Sequence, residues 1–164
     1  MTLNRTIITL IFFSIIFLIG LLSFNDYGAS IDDEHYRQNG LLTYEYLKNT
    51  VLNILYSINL ISETSASDSS LSIIEFTNPF FEVLLAFLSD MFNFEEISHI
   101  YQLSHFLNFF IFFVSLIFFY NFINKILKSQ WYGFFAVIIL FFSPRFFAES
   151  FYNSRDIFFL SLFI

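Results

Sequence analysis

Long apolar runs alternate with polar segments along the chain, and the lengths of these runs predict membrane-spanning helices. The first run covers residues 6–24. About 19 residues in an α-helix rise about 28 Å, which is enough to cross the hydrocarbon core of a bilayer. Later runs cover residues 103–123, 131–142 and 157–164. The pattern predicts an all-α, polytopic membrane protein with about four transmembrane helices in a single membrane domain, residues 1–164.

A secretory signal peptide is the alternative for the first run, because Arg5 precedes an apolar stretch. The run is long for the apolar part of a signal peptide, and residues 22–25 lack the small-residue cleavage pattern. An uncleaved span is therefore the preferred interpretation. The last run reaches the end of the sequence with no polar residue closing it. This predicts the N-terminal fragment of a larger module.

Residues 25–102 are mixed in character and predict a large outer loop that contains helices. Ser30 is a suitable N-cap for a helix over residues 31–49, and the acidic residues that follow suit the positive end of the helix dipole. Residues 49–62 predict a second short helix. The serine-rich residues 62–70 predict a flexible linker.

Pro79 opens another apolar stretch, residues 80–92, which is too short to span a bilayer and carries Glu82 and Asp90. This composition favours an amphipathic helix that lies on the membrane surface. The outer loop is therefore expected to hold interfacial helices pressed onto the bilayer.

Basic residues assign the sidedness, because Lys and Arg favour the cytoplasmic side. Arg5 places the N-terminus inside, and Lys125 and Lys128 place the turn after the second span inside. The loops 25–102 and 143–156 then share the outer face. The chain is therefore predicted to be a multi-pass protein of the bacterial inner membrane, with its N-terminus in the cytoplasm.

Composition supports a lipid environment and excludes several chemistries. Charged residues make up 13% of the 164 residues, whereas soluble domains carry about a quarter. Phe is abundant, at 28 residues, which fits lipid-facing packing. The absence of Cys excludes disulfides, thiolate catalysis and Cys-ligated metals. A net charge of −7 argues against a nucleic-acid partner, because phosphate contacts need clustered Lys and Arg.

Carboxylates and guanidinium groups are the candidate chemistry of the two outer loops. The acidic candidates after the first span are Asp32, Asp33 and Glu34, and the basic candidates after the third are Arg145 and Arg155. A carboxylate can accept a proton from an acceptor hydroxyl, and arginine can bind a phosphate bidentately. Such groups at a membrane surface suit a lipid that carries a phosphate-linked sugar. The alternative for the acidic run is a helix cap.

Two acidic residues, Glu149 and Asp156, lie beside these arginines and form a secondary candidate group, including for a metal ion. No metal site is predicted with any definite set of ligands. The sequence has no glycine-rich nucleotide-binding loop and no Gly-x-Ser-x-Gly motif, so nucleotide use and that type of serine hydrolysis have no local support.

Three segments together resemble a known family. They are NDYGASIDDEHY at residues 25–36, NPFFE at residues 78–82 and SPRFFAESFYNSRD at residues 143–156. They resemble the N-terminal part of GT-C membrane glycosyltransferases, most of all the protein O-mannosyltransferase and aminoarabinose-transferase branch. The resemblance covers nearly the whole chain.

The resemblance implies an inverting transferase that uses a polyprenyl-phosphate-linked sugar as donor. The acceptor can be a protein, a lipid or a glycan. The catalytic carboxylate of the family falls on Asp32, Asp33 or Glu34, and the family's Asp-Glu pair matches Asp33-Glu34, which favours Asp33 as the base. No cofactor is firmly implied, although some relatives in the superfamily depend on a divalent cation. The non-enzymatic alternative is a membrane subunit or scaffold with an acidic outer loop.

Overall fold

The computed structural model describes residues 2–28, 33–57, 80–94 and 96–163. Of these residues 92% are helical, and the described part contains no strand. The all-α prediction is therefore confirmed. The chain divides into two compact units. We call residues 1–29 with 96–164 the bundle, and residues 30–95 the helix pair.

Seven α-helices make up most of the described residues, and a short 3-10 turn, Phe24–Asp26, extends the first of them. In chain order they are α1 (Thr2–Ser23), α2 (Asp33–Ser57), α3 (Phe80–Phe92), α4 (Ile97–Leu127), α5 (Gln130–Phe141), α6 (Pro144–Tyr152) and α7 (Ser154–Phe163).

Two helical stretches of the bundle are long and apolar enough to cross a membrane. They are Arg5–Asp26, which comprises α1 from Arg5 onward and the 3-10 turn, and Ile97–Leu127, which is α4. Helices α5 and α6 pass the same test only together, and the chain bends by 67° between them. The described chain thus holds two candidate spans, or three if the bent pair is one span, and the predicted count of about four is not confirmed.

The third predicted span differs most from the structure. Residues 131–142 were predicted to form a span, but α5 is a short helix that ends at Phe141. Its 12 residues rise only about 18 Å, which is less than a bilayer core. Pro144 is the first residue of α6, a position where the missing N–H of proline costs no helical hydrogen bond. The predicted loop 143–156 is consequently helical over most of its length.

The fourth predicted span, residues 157–164, corresponds to α7. This helix begins at Ser154 and has 10 residues, and residue 164 lies outside the described part. Ten residues rise about 15 Å, so α7 by itself does not reach across a bilayer core.

Aromatic rings form the core of the bundle. Phe109 of α4 is fully buried and stacks on Phe151 of α6, with ring centroids 5.2 Å apart and planes at 7°. The ring of Phe109 also lies directly over Gly20 of α1, where any side chain would overlap it. The ring of Tyr27 stacks on Phe151 as well, with ring centroids 4.6 Å apart. Close approach at a glycine and stacked rings therefore join α1, α4 and α6.

The helix pair is held by a close approach of α2 and α3. Gly40 faces Glu82, and a Cβ atom at Gly40 would overlap the Glu82 Cβ and lie 2.9 Å from its carbonyl carbon. Further along both helices, Lys48 of α2 donates a hydrogen bond to the carboxylate of Asp90 of α3. Both contacts advance in the same direction along the two helices, so α2 and α3 run parallel.

Helix α2 is continuous through Asn49 and ends at Ser57. The predicted division into one helix over 31–49 and another over 49–62 is therefore wrong, as far as the described residues reach. No Pro or Gly interrupts the sequence from Leu41 to Ser57, and nothing therefore ends the helix at Asn49. The predicted helix over 80–92 is confirmed at both ends as α3. The Ser30 cap, the linker at 62–70 and Pro79 lie outside the described residues.

Candidate functional site

The acidic cluster after the first span begins α2. Asp32 lies outside the described residues. Asp33 is the first residue of α2 and is half-buried, and Glu34 follows it in the first turn. The positive end of a helix dipole favours negative charge at these positions. The predicted helix with acidic residues in its first turn is therefore present, although residues 31 and 32, where it was expected to begin, lie outside the described residues.

Glu34 is engaged by its own helix. Arg37 donates from Nε to Glu34 Oε2 at 2.9 Å and from its terminal nitrogen to Oε1 at 2.7 Å. Gln38 Nε2 donates to the same Oε1 at 2.8 Å. These contacts fix the Glu34 carboxylate and offset its charge. Glu34 thus has a structural role within α2, and the preference for Asp33 as base stays a prediction from the sequence.

The arginine and acidic candidates of residues 143–156 lie on α6 and α7. Arg145 Nε donates to Glu149 Oε1 at 2.9 Å within α6. Arg145 is 79% exposed, whereas Glu149 is 15% exposed. The bond uses Nε, so the terminal nitrogens of Arg145 can still bind a phosphate.

Asp156 takes part in a helix cap. Asn153 precedes α7, and its Oδ1 accepts a hydrogen bond from the Asp156 backbone N–H at 3.1 Å. In return, Asn153 Nδ2 donates to Asp156 Oδ2 at 3.0 Å. Asn153 is thus the N-cap of α7, and its side-chain amide also holds the Asp156 carboxylate, which gives Asp156 a structural role. Arg155, next to it in the first turn of α7, is half-buried.

No group of three His, Asp or Glu residues within the described ranges is arranged to share a metal ion. The structure pairs Glu34 with Arg37 and Arg145 with Glu149, each pair within one helix. The metal role considered for Glu149 and Asp156 stays a prediction.

Two buried polar residues of α4 were not singled out from the sequence. Asn108 is fully buried, and its Nδ2 donates to the Glu149 backbone carbonyl at 3.2 Å. His105, one turn earlier, is also buried. A polar side chain inside an apolar span marks a specific contact or a function, and this signal was visible in the run 103–123. Asn108 ties α4 to the segment that carries Arg145.

A groove between α2 and α3 was also missed. Its volume is about 480 Å³, a size typical of small-molecule and lipid sites. Its lining shows the i, i+3, i+4, i+7 spacing on both helices, which could have been found in the sequence. The lining residues are Tyr44, Leu47, Lys48, Val51 and Leu52 of α2 and Phe80, Val83, Leu84 and Phe87 of α3.

The polar groups of the groove meet at a single carboxylate. Tyr44 donates its hydroxyl to Asp90 Oδ2 at 2.7 Å, and Lys48 Nζ donates to the same oxygen at 2.8 Å. The hydrogen bonds from Lys48 and then Tyr44 lower the pKa of Asp90, and the bond to Asp90 raises the pKa of Lys48. We call Tyr44, Lys48 and Asp90 the latch, because they join α2 to α3.

The latch and the acidic cluster lie at separate places along α2. From Asp33 to Lys48 there are 15 residues, which correspond to about 22 Å along a helix. The groove and the candidate base are therefore distinct sites of the same unit.

Comparisons with protein-family models, with curated proteins and with solved structures found no match for this chain.

Proposed function

We propose that the chain is a GT-C-type glycosyltransferase that moves a sugar from a polyprenyl-phosphate donor to an acceptor hydroxyl, with Asp33 as general base. The observation that carries the proposal is the position of Asp33. It is half-buried at the first residue of α2, seven positions after the 3-10 turn that extends the first candidate span to Asp26.

The local charges favour a carboxylate at the start of α2. The N-terminus of α2 favours a negative group. The neighbouring Glu34 is offset by Arg37, which reduces its repulsion of Asp33. An ionised carboxylate is the form that a general base requires.

The proposed reaction is a single displacement. Asp33 takes the proton of the acceptor hydroxyl as the acceptor oxygen bonds to the anomeric carbon. The bond from that carbon to the phosphate oxygen breaks, and the polyprenyl phosphate leaves with the electron pair. Attack from the face opposite the phosphate inverts the anomeric centre. The assignment of phosphate binding to Arg145 and Arg155 is a separate prediction from the sequence.

The finer topology belongs to the same proposal. It comprises about four spans in a bacterial inner membrane, a cytoplasmic N-terminus, and outer loops at residues 25–102 and 143–156. The candidate spans Arg5–Asp26 and Ile97–Leu127 support a membrane location.

The test compares Asp33→Asn with Glu45→Gln in membranes from cells that express the gene. Glu45 is an exposed carboxylate on the same helix and serves as the control. The donors are polyprenyl-phosphate mannose and polyprenyl-phosphate aminoarabinose. We expect Asp33→Asn to lower sugar transfer by about 10²–10⁴-fold, because general-base catalysis contributes that much, while Glu45→Gln retains it.

Unchanged expression and membrane insertion of both variants would separate catalysis from folding. Normal transfer by the double variant Asp33→Asn, Glu34→Gln refutes the assignment. Absence of transfer by the unchanged protein with both donors also counts against the proposal.

The second candidate is a non-enzymatic membrane subunit or scaffold. It is favoured by the use of Glu34, Glu149 and Asp156 in contacts with neighbouring residues of the chain. It predicts that single carboxylate substitutions are tolerated and that no sugar transfer occurs, so the same assay distinguishes the two candidates.

A further inference from the structure

The groove of the helix pair has an apolar lining that suits a hydrocarbon chain. Leu47, Val51 and Leu52 line it from α2, and Val83, Leu84 and Phe87 line it from α3. A hydrocarbon chain gains free energy by leaving water for such a surface, whereas a polar ligand would find few partners there. The polar side chains of the lining, Tyr44 and Lys48, both belong to the latch.

The latch offers a cation and an anion side by side. Lys48 and Asp90 are each half-exposed and are 2.8 Å apart. A headgroup that carries both a phosphate and an ammonium group matches this pair, with the phosphate against Lys48 and the ammonium against Asp90. A headgroup with only negative charge would be attracted by Lys48 but repelled by Asp90.

The net charge of the helix pair also favours a zwitterionic lipid over an anionic one. Residues 30–95 contain ten acidic and two basic residues, which gives a formal charge of −8. Such a field disfavours anionic lipids and leaves zwitterionic ones unaffected at long range. The unit is also continuous at both ends with candidate spans, through the residues after Asp26 and the residues before Ile97.

We propose that the groove between α2 and α3 binds one acyl chain of a zwitterionic phospholipid, whose headgroup lies against Lys48 and Asp90. This inference is independent of the transferase proposal, because the lining of the groove begins at Tyr44, about 16 Å along α2 from Asp33. Bound lipid would fix the helix pair on the membrane surface.

The test uses the full chain in a nonionic detergent, with a trace of phosphatidylethanolamine that carries a photoactivatable acyl chain. Irradiation followed by peptide mass spectrometry maps the labelled residues. We expect labels on the groove segments of both α2 and α3. In a parallel sample, phosphatidylglycerol with the same acyl chain is expected to label these segments severalfold less.

Filling the groove tests whether the labels report binding there. Val83→Trp removes room for at least two methylene groups and should lower groove labelling by about tenfold. Leu47→Trp fills the groove from the opposite wall and should act in the same way. Ile54→Trp adds the same ring to α2 at an exposed position outside the groove, since Ile54 is 56% exposed, and should leave labelling unchanged.

Labelling of the bundle and helical content by circular dichroism check that each variant is folded. The proposal is refuted if groove labelling survives both filling variants in folded protein. It is also refuted if phosphatidylglycerol labels the groove as strongly as phosphatidylethanolamine, or if cross-links join the grooves of two copies of the chain in place of lipid.

Discussion

The bundle and the helix pair solve the problem of helix association in different ways. The bundle buries large aromatic side chains, including Phe109, Phe112 and Phe141, which are fully buried. In the helix pair, α3 buries the apolar side chains of Phe81, Leu85 and Ala86. Gly40 also allows close backbone approach, and the latch adds polar bonds at the other end. One unit is thus packed mainly by aromatic rings, whereas the other combines apolar packing with a glycine contact and a cluster of polar bonds.

The packing of the bundle fits its two candidate membrane spans. Lipid tails are as apolar as the side chains of a span, so association there depends on shape-matched packing. Stacked rings provide such packing in the bundle, as Phe109 and Phe151 do. The helix pair carries many charged residues and keeps an apolar groove open. Its association therefore combines apolar packing with the Gly40 contact and the latch, and a single substitution tests each of the last two.

The largest expected effect comes from the bundle. Phe109→Ala leaves a cavity where the ring packs on Phe151 and over Gly20, and it should reduce the free energy of unfolding by about 3–5 kcal/mol. The measurement is unfolding in mixed detergent micelles, followed by circular dichroism.

The control lies on the same helix. Phe118 of α4 is 63% exposed, so Phe118→Ala should change stability by no more than about 0.5 kcal/mol. Equal losses for the two variants would show that the bundle does not depend on the buried aromatic core.

A smaller effect is expected from Gly40→Ala in the helix pair. Alanine favours a helix over glycine by about 1 kcal/mol, but its Cβ would overlap Glu82, and overpacking costs about 1–3 kcal/mol. The net result should be a loss of up to about 2 kcal/mol, confined to the helix pair. Hydrogen exchange of α2 and α3 amides measures it.

Gly28→Ala is the matched control, because a Cβ at Gly28 meets nothing within 4 Å. If Gly40→Ala instead slows exchange in α2, helix propensity outweighs the contact with Glu82, and the close approach is not a determinant of the pair.

The smallest effect is the pH response of the latch. Asp90 has a lowered pKa, so its contribution is present above the ordinary value of 3.8 and is lost as the pH falls through the lowered pKa. Lys48 has a raised pKa, so its contribution is present below 10.5 and is lost as the pH rises through the raised pKa. The latch should therefore be intact across the neutral range.

Nuclear magnetic resonance of the Asp90 side-chain carbon tests this directly. In the unchanged protein the carboxyl should titrate below 3.8. In the double variant Tyr44→Phe, Lys48→Gln the titration should move up towards that value, because both donors are removed. A midpoint at or above 3.8 in the unchanged protein contradicts the hydrogen bonds of the latch.

Local features of the sequence predicted several elements well. The run 6–24 gave the first candidate span, and the stretch 80–92 gave α3 with both ends correct. These predictions rest on run length and on the flanking polar residues, which act over a few residues. The start of α2 near Asp33 followed from dipole preferences of the same local kind.

Other features depended on residues distant in sequence. Asn108 of α4, for example, donates to the backbone carbonyl of Glu149, 41 positions further along the chain. Tyr44 and Lys48 of the latch were not singled out because their partner, Asp90, lies more than forty positions further along the chain. The spacing of the groove residues is visible in each helix separately, but not which faces meet.

The sequence by itself determined the helical class, the apolar character of the candidate spans and the position of Asp33 after the first of them. Run length, dipole and capping preferences are local properties, and they suffice for these features. Only the tertiary structure decided that Phe109 packs over Gly20 and that α2 and α3 line an apolar groove. Such contacts arise from side-chain geometry and from the meeting of distant segments, and no local pattern fixes them.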